Sequence, residues 1–480
     1  MKFPELKTLA LAAALASLSA CTVGPDYVRP SVDAPAQFKE TGNWKVAQPR
    51  DDVNRGKWWE MFGDAELNTL TESVDISNQN LAAAAARFRQ AQALVAASRA
   101  GLFPTVDGNL SIVKNRSPSG AVGGTTAGHI VTTRTAGVSA TWDTDLWGRL
   151  SRTVEADVAS AQASAADLAA ARLSAQSELA QSYFQLRVLD VQRQLLEDTV
   201  AAFGKSLQLT KNRYAAGVVG KVDVVQAETQ LKSTQAQAID IGVQRAQFEH
   251  AIALLIGKPP STFAIERRPL TVAMPAIPPG LPSELLERRP DIAAAERRVA
   301  SANAQIGITQ AAFFPSLTLS GAAGFRAADP SVWFTSPSYF WSLGPAIVQT
   351  IFDAGLRRAQ TDQAIAAYDA SVAAYRQTVL TAFKEVEDNL AALRILEEEA
   401  QVQDEAVKAA RESFALTTNQ YKAGTINFLN VVIVQAAQLS NERTAVGILG
   451  QRLTAAVLLV KALGGGWQAP GTGMAATEQP

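Results

Sequence analysis

The chain has 480 residues, with 44 basic against 45 acidic side chains and a formal net charge of −1, so no basic arm or block offers nucleic acid an electrostatic footprint. One cysteine, Cys21, and two histidines, His129 and His250, exclude an internal disulfide and leave no material for a Cys/His zinc cluster; no metal or cofactor is expected. Neither histidine stands near a G-x-S-x-G elbow, and Gly217-Val-Val-Gly220-Lys221 has the wrong spacing for a phosphate loop, so no catalytic residues are expected and the chain does not read as an enzyme.

The chain begins with Lys2 and Lys7, followed by an apolar run from Leu9 to Leu18. That run is too short to span a bilayer and suits a secretory signal over residues 1–20. It ends in "LSAC", which looks like a bacterial lipobox. Cys21 is the expected lipid-attachment residue, carrying an S-diacylglycerol and, after cleavage, an N-palmitoyl group. More than one acyl chain makes a stable anchor. Thr22 follows Cys21, where an aspartate retains many such lipoproteins at the inner membrane, so the outer membrane is favoured. Residues 21–66 then form a lipid-anchored N-terminal segment on the periplasmic side. Beyond the signal, no apolar run approaches the roughly 18 residues of a membrane helix.

The remainder reads as one unit written twice. Asn80–Val106 aligns without gaps on Asp291–Leu317, and both stretches reach a Phe-Pro that stops a helix. Repeat 1 is expected over 67–256 and repeat 2 over 283–463, each as helix, two strands and two long helices. Residues 257–282 form a Pro-rich linker, or equatorial region, and 464–480 a flexible tail. In the first long helix a 3-4 stride meets Val154, Val158, Ala161, Leu179, Leu186, Leu189, Leu196 and Phe203. That is a coiled-coil seam over roughly 50 residues, or about 75 Å, longer than a bilayer is thick.

Between the helices the period drops from 3.6 to 2. The hairpins are expected at 104–143 and 315–352. Val106, Leu110 and Ile112 alternate with Asp107, Asn109 and Ser111; Ala136, Val138, Ala140 and Trp142 alternate with Thr135, Ser139 and Thr141. Leu317, Leu319, Ala323 and Phe325 repeat the pattern, while the fourth segment carries Pro345, which disfavours a central strand. Trp142, Tyr339 and Trp341 lie near segment ends, as in an aromatic girdle. Four strands leave two open edges that lipid does not tolerate, so several copies must share one barrel, most naturally around a cyclic axis.

Taken together with "CTVGPDYVRP" (Cys21–Pro30), "WWEMFGDAELNTL" (Trp58–Leu70), "LPSELLERRPDIAAAERRVASANAQIG" (Leu281–Gly307), "IFDAGLRR" (Ile351–Arg358) and "ALGGGW" (Ala462–Trp467), the chain closely resembles the TolC/OprM/NodT-like outer membrane factors of tripartite efflux systems. The resemblance implies a membrane α+β fold. A homotrimer would build a shared outer-membrane β-barrel, four strands per chain, continued by a long periplasmic α-helical barrel. It implies a passive export channel for drugs or other small amphiphiles, with a periplasmic membrane-fusion adaptor, an inner-membrane efflux pump and outer-membrane lipid as partners. The alternative is a structural coiled-coil lipoprotein without transport.

Two related turns, "RYAAGVVGKVDVV" from Arg213 and "QYKAGTINFLNVV" from Gln420, lie 207 residues apart. The resemblance places both at the periplasmic tip, with Tyr214, Gly217, Gly220, Asp223, Tyr421 and Gly424 as adaptor-contact residues. Ile426, Phe428, Leu429 and Asn430 become the entrance constriction. The two glycines relax the backbone and the valines pack the reversed helices; for the two tyrosines, coiled-coil packing and a closing contact both stay open. Asp223 matches an acidic position that ties the closed entrance in some members. Ile426 stands where those members carry an arginine, and Asn430 where they carry an aspartate, so closure is expected to rest on packing. Replacing Cys21 by Ala is expected to abolish palmitate labelling of the mature protein, checked by metabolic labelling and intact-mass analysis.

Overall fold

The computed structural model describes residues 22–41, 57–116, 130–270, 272, 274–275, 277 and 288–465. The expected signal, Cys21, His129, the first hairpin's loop, part of the linker and all but two residues of the tail lie outside the described residues. The helices are α1 (Ala65–Ser77), α2 (Gln79–Ala100), α3 (Arg149–Ala215), α4 (Lys221–Leu255), α5 (Pro290–Ala311), α6 (Leu356–Lys422) and α7 (Phe428–Ala462). The strands are β1 (Thr105–Arg116), β2 (Ile130–Asp143), β3 (Ser316–Ala327) and β4 (Tyr339–Val348). The order helix, strand, strand, helix, helix therefore runs twice. Its two longest helices have 67 residues each and its closing helices 35 each.

The chain divides into two compact units. The first takes in the described parts of Met1–Ser31, Arg87–Ala165 and Ala294–Tyr375. It holds one antiparallel sheet in the order β1-β2-β3-β4. The register decides which side chains share a face, because a slip of one residue would invert a strand. Val106 faces Ala140, Leu110 faces Ala136, Ala136 faces Phe325, Trp142 faces Leu319, Ala323 faces Trp341 and Leu317 faces Ile347. The apolar sets expected from alternation thus fall on one face, joined by Leu343 opposite Gly321. That face is bare: Leu110, Trp341, Leu343 and Ile347 are at least 70% exposed. Asp107, Asn109, Ser139, Thr141 and Ser320 occupy the other face.

Both outer strands, β1 and β4, have an open edge within the chain. Pro345 lies on β4, at a position that costs the sheet nothing. Thr144 N–H donates to the Leu317 carbonyl, so Leu317 and, two residues on, Leu319 aim their backbone groups at β2. Pro345, opposite Leu319, therefore sits in a non-hydrogen-bonded pair, and its nitrogen points to the open edge.

Along the same unit runs an extended strap from Thr22 to Tyr27. Val23 N–H donates to the Trp147 carbonyl at 3.2 Å, Asn303 to the Pro25 carbonyl at 2.8 Å, and Tyr27 Oη to Glu296 at 2.6 Å. Burial, helped by the Glu296 carboxylate, pushes the Tyr27 phenol pKa up, so it remains a donor. Gly24 has φ +105°, and a Cβ there would stand 2.4 Å from Gly307 Cα; only glycine fits.

The second unit takes in the described parts of Val32–Ala86, Ala166–Ala293 and Arg376–Pro480. Its interior is organised by charges. Arg187, 2% exposed, pairs with Glu66, donates to Asp190 at 3.1 Å and to the Glu266 carbonyl at 2.7 Å. Arg245 reaches the other Asp190 oxygen at 2.7 Å, Glu249 at 3.2 Å and the Ile265 carbonyl at 2.6 Å. A segment without regular structure thereby finds acceptor and donor partners on α3 and α4. Arg289 performs the matching task before α5. It grips Asp291 with two nitrogens, at 3.0 and 2.6 Å, and donates to Glu385 at 2.7 Å and to the Ala462 carbonyl at the end of α7.

Two expectations need correction. The first long helix has 67 residues rather than about 50, roughly 100 Å at 1.5 Å per residue, and between Gln176 and Asp190 it is buried nearly all round rather than along one seam. Tyr183, Phe184 and Arg187 fill the sides that a two-helix seam would leave to solvent. In addition, α7 is long and apolar enough to cross a membrane by composition, although half of its most apolar window is buried inside the protein. Its buried Gln435 and Glu442 mark it as a packed helix.

Asp190→Ala leaves Arg187 and Arg245 without their shared carboxylate. It is expected to cost about 3–5 kcal/mol, the scale of a broken buried pair. Thermal melting by circular dichroism in detergent checks the loss, and amide exchange at Ile265 and Glu266 shows the linker detaching first.

Candidate functional site

The two turns are helix C-terminal motifs of the same construction. At the end of α3, Val218 N–H donates to the Arg213 carbonyl at 2.9 Å and Gly217 N–H to the Tyr214 carbonyl at 2.9 Å. At the end of α6, Thr425 N–H donates to the Gln420 carbonyl at 3.1 Å and Gly424 N–H to the Tyr421 carbonyl at 3.0 Å. This paired pattern needs a left-handed residue just past the helix, and Gly217 and Gly424 supply it with φ +73° and +80°. The next helix then starts from an extended residue, Gly220 before α4 and Asn427 before α7. Only Asn427 caps with its side chain, accepting from Asn430 N–H at 3.3 Å; Gly220 has nothing to offer.

The related tyrosines do not behave alike. Tyr214 is 47% exposed, whereas Tyr421 is 3% exposed in a cluster with Leu207, Ala227, Phe428 and Val431. The Tyr421 and Phe428 rings are 5.4 Å apart. Val224, Phe414 and Ile426 pack on this cluster. Of the candidate constriction residues, Phe428 is therefore inside and Ile426 half-buried, while Leu429 and Asn430 are exposed. Asp223 lies half-buried in the first turn of α4, near the positive end of the helix dipole. Among the described residues it has no ion-pair partner.

The turns' valines were expected to pack the reversed helices; in the first turn Val224 does. Val218, Val222 and Val225 are instead 61%, 66% and 51% exposed. Val222 and Val225, three apart in α4, share a helix face, while Val218 stands in the turn itself; together they leave exposed apolar side chains at the first turn. Sequence reasoning missed Arg213 and Asn427. Asn427 was findable as an N-cap residue type before α7; Arg213 was not, since its partner lies on the other turn. Its guanidinium stacks over the Tyr421 ring, 4.5 Å from the centroid, and Nη1 donates to the Tyr421 carbonyl at 2.8 Å. No group of three or more His, Cys, Asp or Glu among the described residues is placed to hold a metal ion.

Comparison with known proteins gives the chain's relatives. A family model described as "Outer membrane efflux protein" matches residues 70–258 and 281–465. The pyoverdine export outer membrane protein OpmQ of Pseudomonas aeruginosa is 32% identical over 476 residues, covering 98% of this chain and 99% of the relative. The cation efflux system protein CusC of Escherichia coli is 31% identical, covering 96% and 99%. Among solved structures, the outer-membrane channel OprN is similar with a TM-score of 0.88 and 33% identity, over 93% of this chain and all of that one.

Phe428→Ala is expected to cost about 3–5 kcal/mol of local stability, the usual effect of removing a buried ring. Asp223→Ala, which breaks no ion pair, leaves it nearly unchanged. Hydrogen exchange at the Gly424 and Thr425 amides separates the two.

Proposed function

The chain belongs to the outer membrane efflux protein family, and we propose that three copies of it form the exit duct of a tripartite efflux pump. The observation that carries this reading is the two-faced sheet of β1 to β4. Its apolar face is exposed, its polar face carries carboxylate, amide and hydroxyl groups, and both its edges are unpaired within the chain. Outer-membrane lipid matches the apolar face, a water-filled lumen the polar one, and only neighbouring copies can complete the edges. Three copies give a barrel of about twelve strands, above the minimum of about eight for this class. A second support is α2, an Ala-rich helix of 22 residues in which only Leu81 is buried. Such a bare helix is material for contact with a neighbouring subunit.

The long helices then form a periplasmic helical barrel. The repeated element order and equal helix lengths support two tandem repeats, 67–256 and 283–463. The Thr22–Tyr27 strap is tied beside the sheet, which holds a lipid on Cys21 close to the membrane surface. Both turns lie at the tip, where the exposed Val218 of the turn and Val222 and Val225 of α4 suit a periplasmic adaptor. Leu429 and Asn430 narrow the entrance, held in place by Phe428 and Ile426. Conduction is passive, with no catalytic residue or cofactor, and the inner-membrane pump supplies the energy. Relatives of nearly equal identity are named for pyoverdine export and for cation efflux, so selection among drugs and other amphiphiles belongs to the pump and adaptor. The alternative, a coiled-coil lipoprotein without transport, leaves the two-faced sheet without a purpose.

Reconstitution of the purified protein into planar bilayers tests the duct. Discrete single-channel steps are expected, and Asp223→Ala should raise the conductance little, because closure here rests on packing. A folded oligomer that never conducts, even with its entrance residues mutated, would sink the proposal.

A further inference from the structure

We infer that Arg213 latches the two hairpin turns of each subunit together, and that this stacked contact keeps the entrance narrow. The inference rests on the reading of the turns as the entrance of the duct.

The contact has three parts. The guanidinium carbon lies over the Tyr421 ring, 4.5 Å from its centroid. Nη1 donates to the Tyr421 carbonyl at 2.8 Å; that carbonyl, one of the last four of α6, takes Gly424 N–H on its other lone pair. The positive charge lies at the C-terminal ends of both α3 and α6, where the helix dipoles favour a cation. One side chain from the first turn thus holds the second turn by ring, carbonyl and dipole.

The internal comparison makes the contact one-directional. Position 420, the counterpart of Arg213 in the second turn, is glutamine. It has neither the charge nor the five-donor fork that suits Arg to stacking, so it cannot return the contact. The asymmetry accounts for the two tyrosines: Tyr421 is covered and Tyr214 is not. Among the described residues the buried Tyr421 hydroxyl has no hydrogen-bond partner, so the ring is held by its packing, with Arg213 over it and Phe428 tilted against it. Among the described residues no carboxylate lies within ion-pair distance of Arg213. Its charge is directed to the ring and the carbonyl rather than to an acid, in keeping with the lack of an ion pair at Asp223.

The test uses the full-length channel in two measurements: amide exchange at Val218, Gly424 and Thr425, and single-channel conductance. Arg213→Ala is expected to speed exchange at these amides by about 5-fold, the scale of a partly desolvated cation–π contact with its hydrogen bond, and to raise conductance. Arg213→Lys, which keeps charge but not the planar fork, should fall between. Lys211→Ala, which removes an exposed charge two residues away, should match wild type in both. Tyr421→Leu should speed exchange as well, and the double variant with Arg213→Ala should add little to either single change, because both break one contact. Exchange no faster in Arg213→Ala than in Lys211→Ala overturns the latch. So do single effects that multiply in the double variant, or faster exchange with unchanged conductance in a channel that conducts. If wild type and every variant fail to conduct, the duct reading falls, and the gating role with it.

Discussion

A strand edge in hydrocarbon must be paired, because no water is there to satisfy its backbone. In this chain that single requirement governs the rest. The sheet has two faces of opposite character and two open edges, so it is stable neither alone in water nor alone in lipid. Partner copies are a condition of its existence in a membrane, and features elsewhere fit that condition. The α2 helix buries almost nothing of its own, and the strap at Thr22–Tyr27 is tied to the elements that flank the sheet.

The second unit answers a different problem. Very long Ala-rich helices pack closely but offer few large side chains to define their register. Arg187, Asp190 and Arg245 define it with directional bonds, and they also satisfy the backbone of the irregular linker around Ile265 and Glu266. Arg289 does the same where α5 begins and α7 ends. The net stability from buried ion pairs is often small, yet removing one partner is costly, so such groups act chiefly as locators.

The local periods of the chain were readable in advance. Alternation in β1 to β3 predicted the faces that the register then put together, and Gly217 and Gly424 announced the turns because no other residue adopts their conformation readily. The length of α3 was underestimated because the 3-4 apolar series was followed only to Phe203, while nothing in Gly204–Tyr214 stops a helix before Gly217; Leu207 and the polar Thr210 carry its burial on. The charge network was invisible for another reason. Glu66, Arg187, Arg245 and Ile265 are separated by tens of residues, and each alone reads as a solvated charge or an ordinary linker residue. Arg213 belongs with them: its partner, Tyr421, is chosen by how two separate turns meet.

Pro345 carries a consequence for the time before assembly. A strand edge that is free in the periplasm is a template for any extended segment that drifts past. On β4 that template has a gap, because the proline nitrogen facing outward has no hydrogen to give. A stray strand would lose a bond there and gain no side-chain fit to repay it. In the three-copy arrangement proposed above, a neighbouring β1 would lose the same bond but bring a matching apolar face and a helix surface besides. The defect thus taxes every partner equally and is tolerable only to the one that offers most, which makes the edge of a newly made subunit selective without any chaperone reading its sequence.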